Sequence, residues 1–264
     1  MELVKLEWHD SVAVISLNRP DAANAISLDL AAALRDVAQG IADEGQARCV
    51  IIRAEGKMFS GGGDIGAMIA NKAALNTTAY GAFFESLVLG FHEAILALRA
   101  IGAPMIAAVN GTAAGGGMSL ALACDLVLVS PKAKFVPAYP GIGLSTDGGM
   151  SWSLPRIVGP KKAMQLLIDN RPVAADQAER LGIASAILPE EGFDAAVLER
   201  ARAMARLPRQ ALSTIRSLVE DSTGHSLAQQ LNMELKAIGK LAVAGDAMEG
   251  LDAFSGRRPP AFSD

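Results

Sequence analysis

Four short runs constrain the fold before anything else: Val12-Ala-Val-Ile-Ser-Leu17, Cys49-Val-Ile-Ile52, Met105-Ile-Ala-Ala-Val109 and Leu126-Val-Leu-Val129. Each is almost continuously apolar, mostly β-branched, and lacks the polar alternation of a half-exposed strand. Strands of that kind are buried on both faces, the habit of a parallel sheet covered by helices. Helical patterns separate them: residues 28–42, with Ser27 placed as N-cap, residues 83–98, and residues 117–123, which join one strand directly to the next. The alternation predicts an α/β fold with a substantial parallel component.

From about residue 190 the pattern changes. Residues 192–206, 208–222 and 225–244 read as three helices, with Pro208 in a first turn. Asp246-Ala-Met-Glu249 has capping-box spacing and predicts a last short helix. We therefore expect an α/β core over residues 1–198 and a helical region over 199–264. With 24 basic against 28 acidic residues the formal charge is −4, which argues against nucleic acid or an anionic membrane as partner. Cys49 and Cys124 each sit in an apolar run, as suits reduced, core-packed thiols in the cytoplasm. The start of the chain lacks the order of a signal peptide. The apolar stretches near 104–109 and 118–129 are cut by Asn110, glycines and Asp125, so no membrane span is expected.

The chemistry is suggested by glycine placement. Gly61-Gly62-Gly63, Gly115-Gly116-Gly117 and Gly148-Gly149 each follow an extended segment and precede a helical one. No dinucleotide fingerprint, phosphate-binding loop or nucleophile elbow fits them letter by letter, and no metal-ligand spacing is present. Glycines at helix starts let a ligand approach unpaired backbone N–H groups. Two converging amides would hold a developing oxyanion, worth about 2.7–4 kcal/mol per donor. The plainer reading is tight turns and close helix–strand packing.

Two longer motifs then carry a resemblance. Phe59-Ser-Gly-Gly-Gly-Asp64-Ile65 and Ala107-Ala-Val-Asn110-Gly111-Thr-Ala-Ala-Gly115-Gly-Gly117 resemble the two signatures of the enoyl-CoA hydratase/isomerase (crotonase) superfamily. Asn18-Arg19-Pro20 with Asn24-Ala25, and Glu249-Gly-Leu-Asp-Ala-Phe254, resemble its entry and tail. The resemblance implies a crotonase-type spiral of ββα units, a C-terminal helical region that makes homotrimers or hexamers, and an acyl-CoA thioester substrate with no separate cofactor. It implies an oxyanion hole from the backbone amides of Gly63 and Gly116. It also puts Ala22, Ala23, Ala25, Asp64, Ile65, Gly66, Ser119, Ala138, Tyr139 and His92 beside the substrate. Arg19, Lys57, Arg257 and Arg258 are candidates for the coenzyme A phosphates.

The departures from the family pattern matter more. Ser119 and Ala138 stand where the family's hydratases carry their two glutamates. Asp147 matches the aspartate that looks catalytic in the dienoyl-CoA isomerases, the ring-epoxide isomerases of phenylacetyl-CoA degradation and the 4-chlorobenzoyl-CoA dehalogenase; its plain alternative is an N-cap. The favoured reading is an enoyl-CoA isomerase with Asp147 as proton shuttle. The alternatives are a hydratase of atypical route, a hydrolase or dehalogenase with Asp147 as nucleophile, or a non-catalytic scaffold binding coenzyme A or RNA. Asp64 is read as a helix cap, and His92 as more structural than catalytic. The residue 66–82 segment reads as a mobile loop.

Overall fold

The computed structural model describes residues 2–263. Its strands are β1 (Val4–His9), β2 (Val12–Leu17), β3 (Cys49–Ala54), β4 (Met58–Ser60), β5 (Met105–Val109), β6 (Thr112–Ala114), β7 (Leu126–Val129), β8 (Lys134–Val136), β9 (Val173–Ala174) and β10 (Ala186–Ile187). They form a six-stranded sheet in the order β1-β2-β3-β5-β7-β10 and a four-stranded sheet in the order β4-β6-β8-β9. The pairs β2/β3, β3/β5, β5/β7 and β7/β10 are parallel, as are β4/β6 and β6/β8. Successive turns of the chain place one strand in the large sheet and one in the small sheet, followed by a helix. This is the expected spiral of ββα units. The first turn puts only Ile26 beside the small sheet, as a parallel bridge to Gly63.

The continuous apolar runs explain the layering. All six residues of β2 and all five of β5 are buried, because helices cover both faces of the large sheet. Alternate residues divide between two cores. Ala13, Ile15, Val50, Ile52, Ala107 and Val129 point inward, toward α1 (Leu28–Glu44) and α3 (Thr77–Ala100). Val12, Val14, Ile51, Ile106, Ala108 and Leu128 point outward, against Phe193, Val197, Ala201 and Ala205 of α8 (Phe193–Ala205). The residue 198/199 boundary read from the sequence falls inside α8, which packs on the sheet as one piece.

Ser27 caps α1 as expected, accepting from the Leu30 N–H. The segment read as a mobile loop is helical instead: α2 (Ile65–Ala74) leads into α3 after two residues. At 24 residues α3 is long and apolar enough by composition to match a membrane span, unlike the interrupted apolar stretches near 104–109 and 118–129. Leu87, Phe91, Ala94, Ile95 and Leu98 form its buried side. A short strand, β6, also intervenes between β5 and α4 (Gly116–Leu122), where a direct connection was expected.

Beyond α4 come α5 (Met150–Val158), α6 (Pro160–Asp169) and α7 (Ala175–Arg180). After α8 the chain forms α9 (Arg209–Asp221), α10 (Leu227–Leu241) and α11 (Gly245–Ser255). The capping box expected at Asp246 is not there. Asp246 lies inside α11, buried, accepting from the Ser263 N–H at 2.9 Å. A capping box instead opens α10, between Ser226 and Gln229. Arg216 of α9 donates to Asp125 at 3.0 Å, whose other oxygen accepts from the Met105 N–H, tying α9 to the start of β5.

Candidate active site

The first amide is set by the turn after β4. Ile26 N–H donates to Gly62 O at 2.7 Å and Asp64 N–H donates to Ile26 O at 3.2 Å, so this bridge uses the groups on either side of Gly63. The Gly63 N–H itself has no acceptor among the described residues. Buried Asn24 fixes the turn from behind. Its Nδ2 donates to Glu55 O and Met58 O, each at 2.9 Å, while the Ala23 carbonyl accepts from Gly61 N–H at 2.8 Å. Residues 22–25 thus brace the turn rather than wall the cavity. Asp64 caps α2 through the Ala67 N–H at 2.9 Å and receives Arg19 at 2.6 Å. Burial alone would raise its pKa, but the Ala67 N–H and the Arg19 guanidinium together hold it below the usual carboxylate range.

The second amide opens α4. Gly116 is its first residue, and the Gly116 N–H has no acceptor among the described residues, as befits a first-turn donor. The two glycine turns touch. At Gly62, where φ is +90°, an added Cβ would lie 2.8 Å from the Ala114 carbonyl oxygen and 3.4 Å from the Gly116 nitrogen. Only glycine supplies both that conformation and that approach.

Asp147 completes the site from the loop before α5. It is not an N-cap, since Gly149 holds that position. Three elements anchor the loop instead. Tyr139 Oη, in a 3-10 turn (Tyr139–Ile142), donates to Asp147 Oδ1 at 2.8 Å. Ser119 Oγ, from α4, donates to the Asp147 carbonyl at 2.9 Å. His92 Nε2, from α3, accepts the Gly148 N–H at 3.1 Å. At Gly148, where φ is +57°, a Cβ would stand 2.4 Å from Phe91. Burial raises the Asp147 pKa above the ordinary range, opposed by the Tyr139 hydrogen bond. Burial, followed by the Asp147 charge, pushes Tyr139 up so far that it stays a neutral donor.

One cavity gathers Gly63, Gly116 and Asp147 between walls of Ile26, Met68, Phe84, Leu87, Val88, Phe91 and Leu144. Of the residues expected beside the substrate, Ala22, Ala23, Ala25, Asp64, Ile65, Gly66, Ser119, Ala138, Tyr139 and His92 are not on its wall. Ser119, Tyr139 and His92 brace the Asp147 loop. Asp64 caps α2, and Ile65 lies at the surface, 44% exposed. The Ala138 N–H donates to Asn170. The sequence reading missed most of the apolar wall. Its signal was the spacing 84, 87, 88, 91 in α3, one face of a helix. Two basic residues offered for phosphate binding are engaged within the chain: Arg19 with Asp64, and Arg258 with both oxygens of Glu249. Among the described residues no group of three His, Cys, Asp or Glu side chains is placed to hold a metal.

The pattern of the Enoyl-CoA hydratase/isomerase family matches residues 7–264. This chain belongs to that family. It is 30% identical to 4-chlorobenzoyl coenzyme A dehalogenase-2 of an Arthrobacter species over 89% of this chain and 84% of that one. It is 29% identical to the 1,2-epoxyphenylacetyl-CoA isomerase of Escherichia coli, over 100% of this chain and 99% of that one. The crystal structure of an enoyl-CoA hydratase from Polaromonas sp. JS666 superimposes with a TM-score of 0.91 at 30% identity, covering 98% of this chain and 99% of that one. These three relatives are named for three different activities.

Proposed function

We propose that this family member is an acyl-CoA isomerase that moves a carbon–carbon double bond with a single-carboxylate proton shuttle. The observation that carries the reading is that Asp147 is the one ionisable side chain, among the described residues, on the wall of the cavity that also holds the partnerless amides of Gly63 and Gly116. The thioester oxygen would accept hydrogen bonds from both N–H groups. The Asp147 carboxylate would take a proton from the α- or γ-carbon, leaving the electron pair delocalised onto that oxygen. Returning the proton to the other end of the allylic system shifts the double bond and regenerates the carboxylate. Hydration would need water activated as well, and Ser119 and Ala138 occupy the two positions where the resemblance puts the hydratase glutamates.

The test is mass spectrometry of paired 2-enoyl and 3-enoyl thioesters incubated in deuterated water. Isomerisation incorporates deuterium without adding water, and Asp147→Asn abolishes it in a folded protein. Addition of water, or full turnover by Asp147→Asn, refutes the reading. A second reading, in which Asp147 attacks as a nucleophile, draws on its Oδ2 atom, which has no partner among the described residues, and on the likeness to the dehalogenase. It requires an ester adduct on the peptide containing Asp147.

We also infer self-association through the C-terminal helices. Leu227, Leu231, Leu235 and Ile238 form an exposed apolar stripe along α10, continued by Val243, Leu251 and Phe254. The trimer implied by the resemblance would cover it. The two cysteines are buried free thiols, with Cys49 pushed up to about 12 by burial, which suits the cytoplasm as the setting.

A further inference from the structure

We propose that Tyr139 is a positioning residue that, backed by Ser119, claims one oxygen of Asp147 and presents the other, Oδ2, to the cavity. The inference rests on the reading of Asp147 as the base, and goes beyond it by naming what sets that base's orientation and strength.

The proton inventory supports the assignment. Tyr139 Oη lies 2.8 Å from Asp147 Oδ1, 2.9 Å from Ser119 Oγ and 3.4 Å from the Asp147 carbonyl oxygen. The phenol has one proton, and an ionised carboxylate is the strongest acceptor of the three, so the proton goes to Oδ1. Ser119 then points its own proton either at Tyr139 Oη or at the Asp147 carbonyl oxygen, at 2.9 Å each. Either choice fixes the loop relative to α4, the helix that begins with Gly116. Tyr139 is only 6% exposed and Ser119 only 1%, so water does not compete for these bonds. Oδ2 has no partner among the described residues and is not among the side-chain oxygens sealed from solvent without one. A carboxylate held this way keeps Oδ1, which would lie 3.6 Å from a Cβ on Gly116, engaged by the phenol and leaves Oδ2 as the oxygen free to take a proton. Neither Tyr139 nor Ser119 is on the cavity wall, so both act through Asp147 rather than on the substrate.

A phenol donating to the ionised form lowers the pKa of the acid it serves. Removing that donor while keeping the ring therefore raises the Asp147 titration midpoint, by roughly one pH unit, or tenfold in proton affinity. The midpoint is read by carbon-13 NMR of aspartate-labelled protein, with Asp147→Asn identifying the signal. Tyr139→Phe is expected to move it up, and the acidic limb of the deuterium-incorporation rate with it. Global replacement by 3-fluorotyrosine provides the opposite perturbation without deleting a group. The chain has two tyrosines, and only Tyr139 contacts Asp147, so the more acidic phenol is expected to move the midpoint down. A purely packing tyrosine would leave the midpoint still in both cases. An unchanged midpoint in either sample, or shifts of the same sign in both, overturns the proposal. The NMR titration does not depend on turnover. If Asp147→Asn proves fully active, the base reading fails while the titration still decides what Tyr139 does to Asp147.

Discussion

The close approach at Gly62 makes a quantitative prediction. In Gly62→Ala the new Cβ would sit 2.8 Å from the Ala114 carbonyl oxygen, where ordinary contact begins near 3.4 Å, and its φ is +90°. The turn carrying Gly63 must therefore retreat from the strand leading to Gly116 by about 0.6 Å. A 1 Å misplacement of catalytic groups costs about 10²-fold and removal of one oxyanion donor about 10²–10³-fold. The expected loss in the deuterium-incorporation rate is thus roughly 10- to 100-fold. The unfavourable φ alone costs about 1–3 kcal/mol of stability. Gly45→Ala separates the two effects, because Gly45 has φ +65° but nothing within 4 Å of its added Cβ. That variant should lose melting temperature and keep its rate. If Gly62→Ala exchanges deuterium at the wild-type rate, the spacing of the two amides is not what glycine protects there.

Because burial raises the Asp147 pKa, the deuterium-incorporation rate should fall with decreasing pH through a midpoint above the normal carboxylate range, as read from a pH–rate profile. The sign for stability is opposite. The folded state holds the Asp147 proton more tightly than the unfolded chain, so charging it costs stability as pH rises through that midpoint; Asp147→Asn should melt higher than wild type at neutral pH in calorimetry. Arg19→Ala strips the partner from Asp64, whose side chain is 12% exposed, and should cost about 1–3 kcal/mol by denaturant titration. Glutamates at Leu231 and Leu235, which are 54% and 68% exposed, should leave the fold intact and shift the protein to monomer by light scattering.

Much of the fold was legible because its signals are local. The runs at Val12–Leu17 and Met105–Val109 are apolar at every or nearly every position, and this alone specifies strands covered on both faces. Ser27 and Asp64 announced helix starts through their short polar side chains, and both cap as expected. The glycine clusters marked where backbone amides are bare. Signals weakened where a residue has two outlets for its hydrogen bonds. Asp246 had the spacing of a cap, yet its carboxylate accepts from Ser263 in the tail that follows α11. The alanine- and asparagine-rich segment after Asp64 looked loose because its helices hold few buried side chains, α2 having none.

By itself, then, the sequence determined four buried strands of the six-stranded sheet, the two glycine turns and the one carboxylate nearby. Only the tertiary structure decided that the Gly63 and Gly116 amides open into one cavity, and that Phe84, Leu87, Val88 and Phe91 wall it. It also decided that Tyr139, Ser119 and His92 meet the Asp147 loop as its three supports. The physical reason is range. Strand and helix patterns follow from a residue's own neighbours within a turn or two, whereas a base's orientation depends on hydrogen bonds from elements 8, 28 and 56 positions away. No local periodicity encodes which of several polar side chains will meet once the spiral closes.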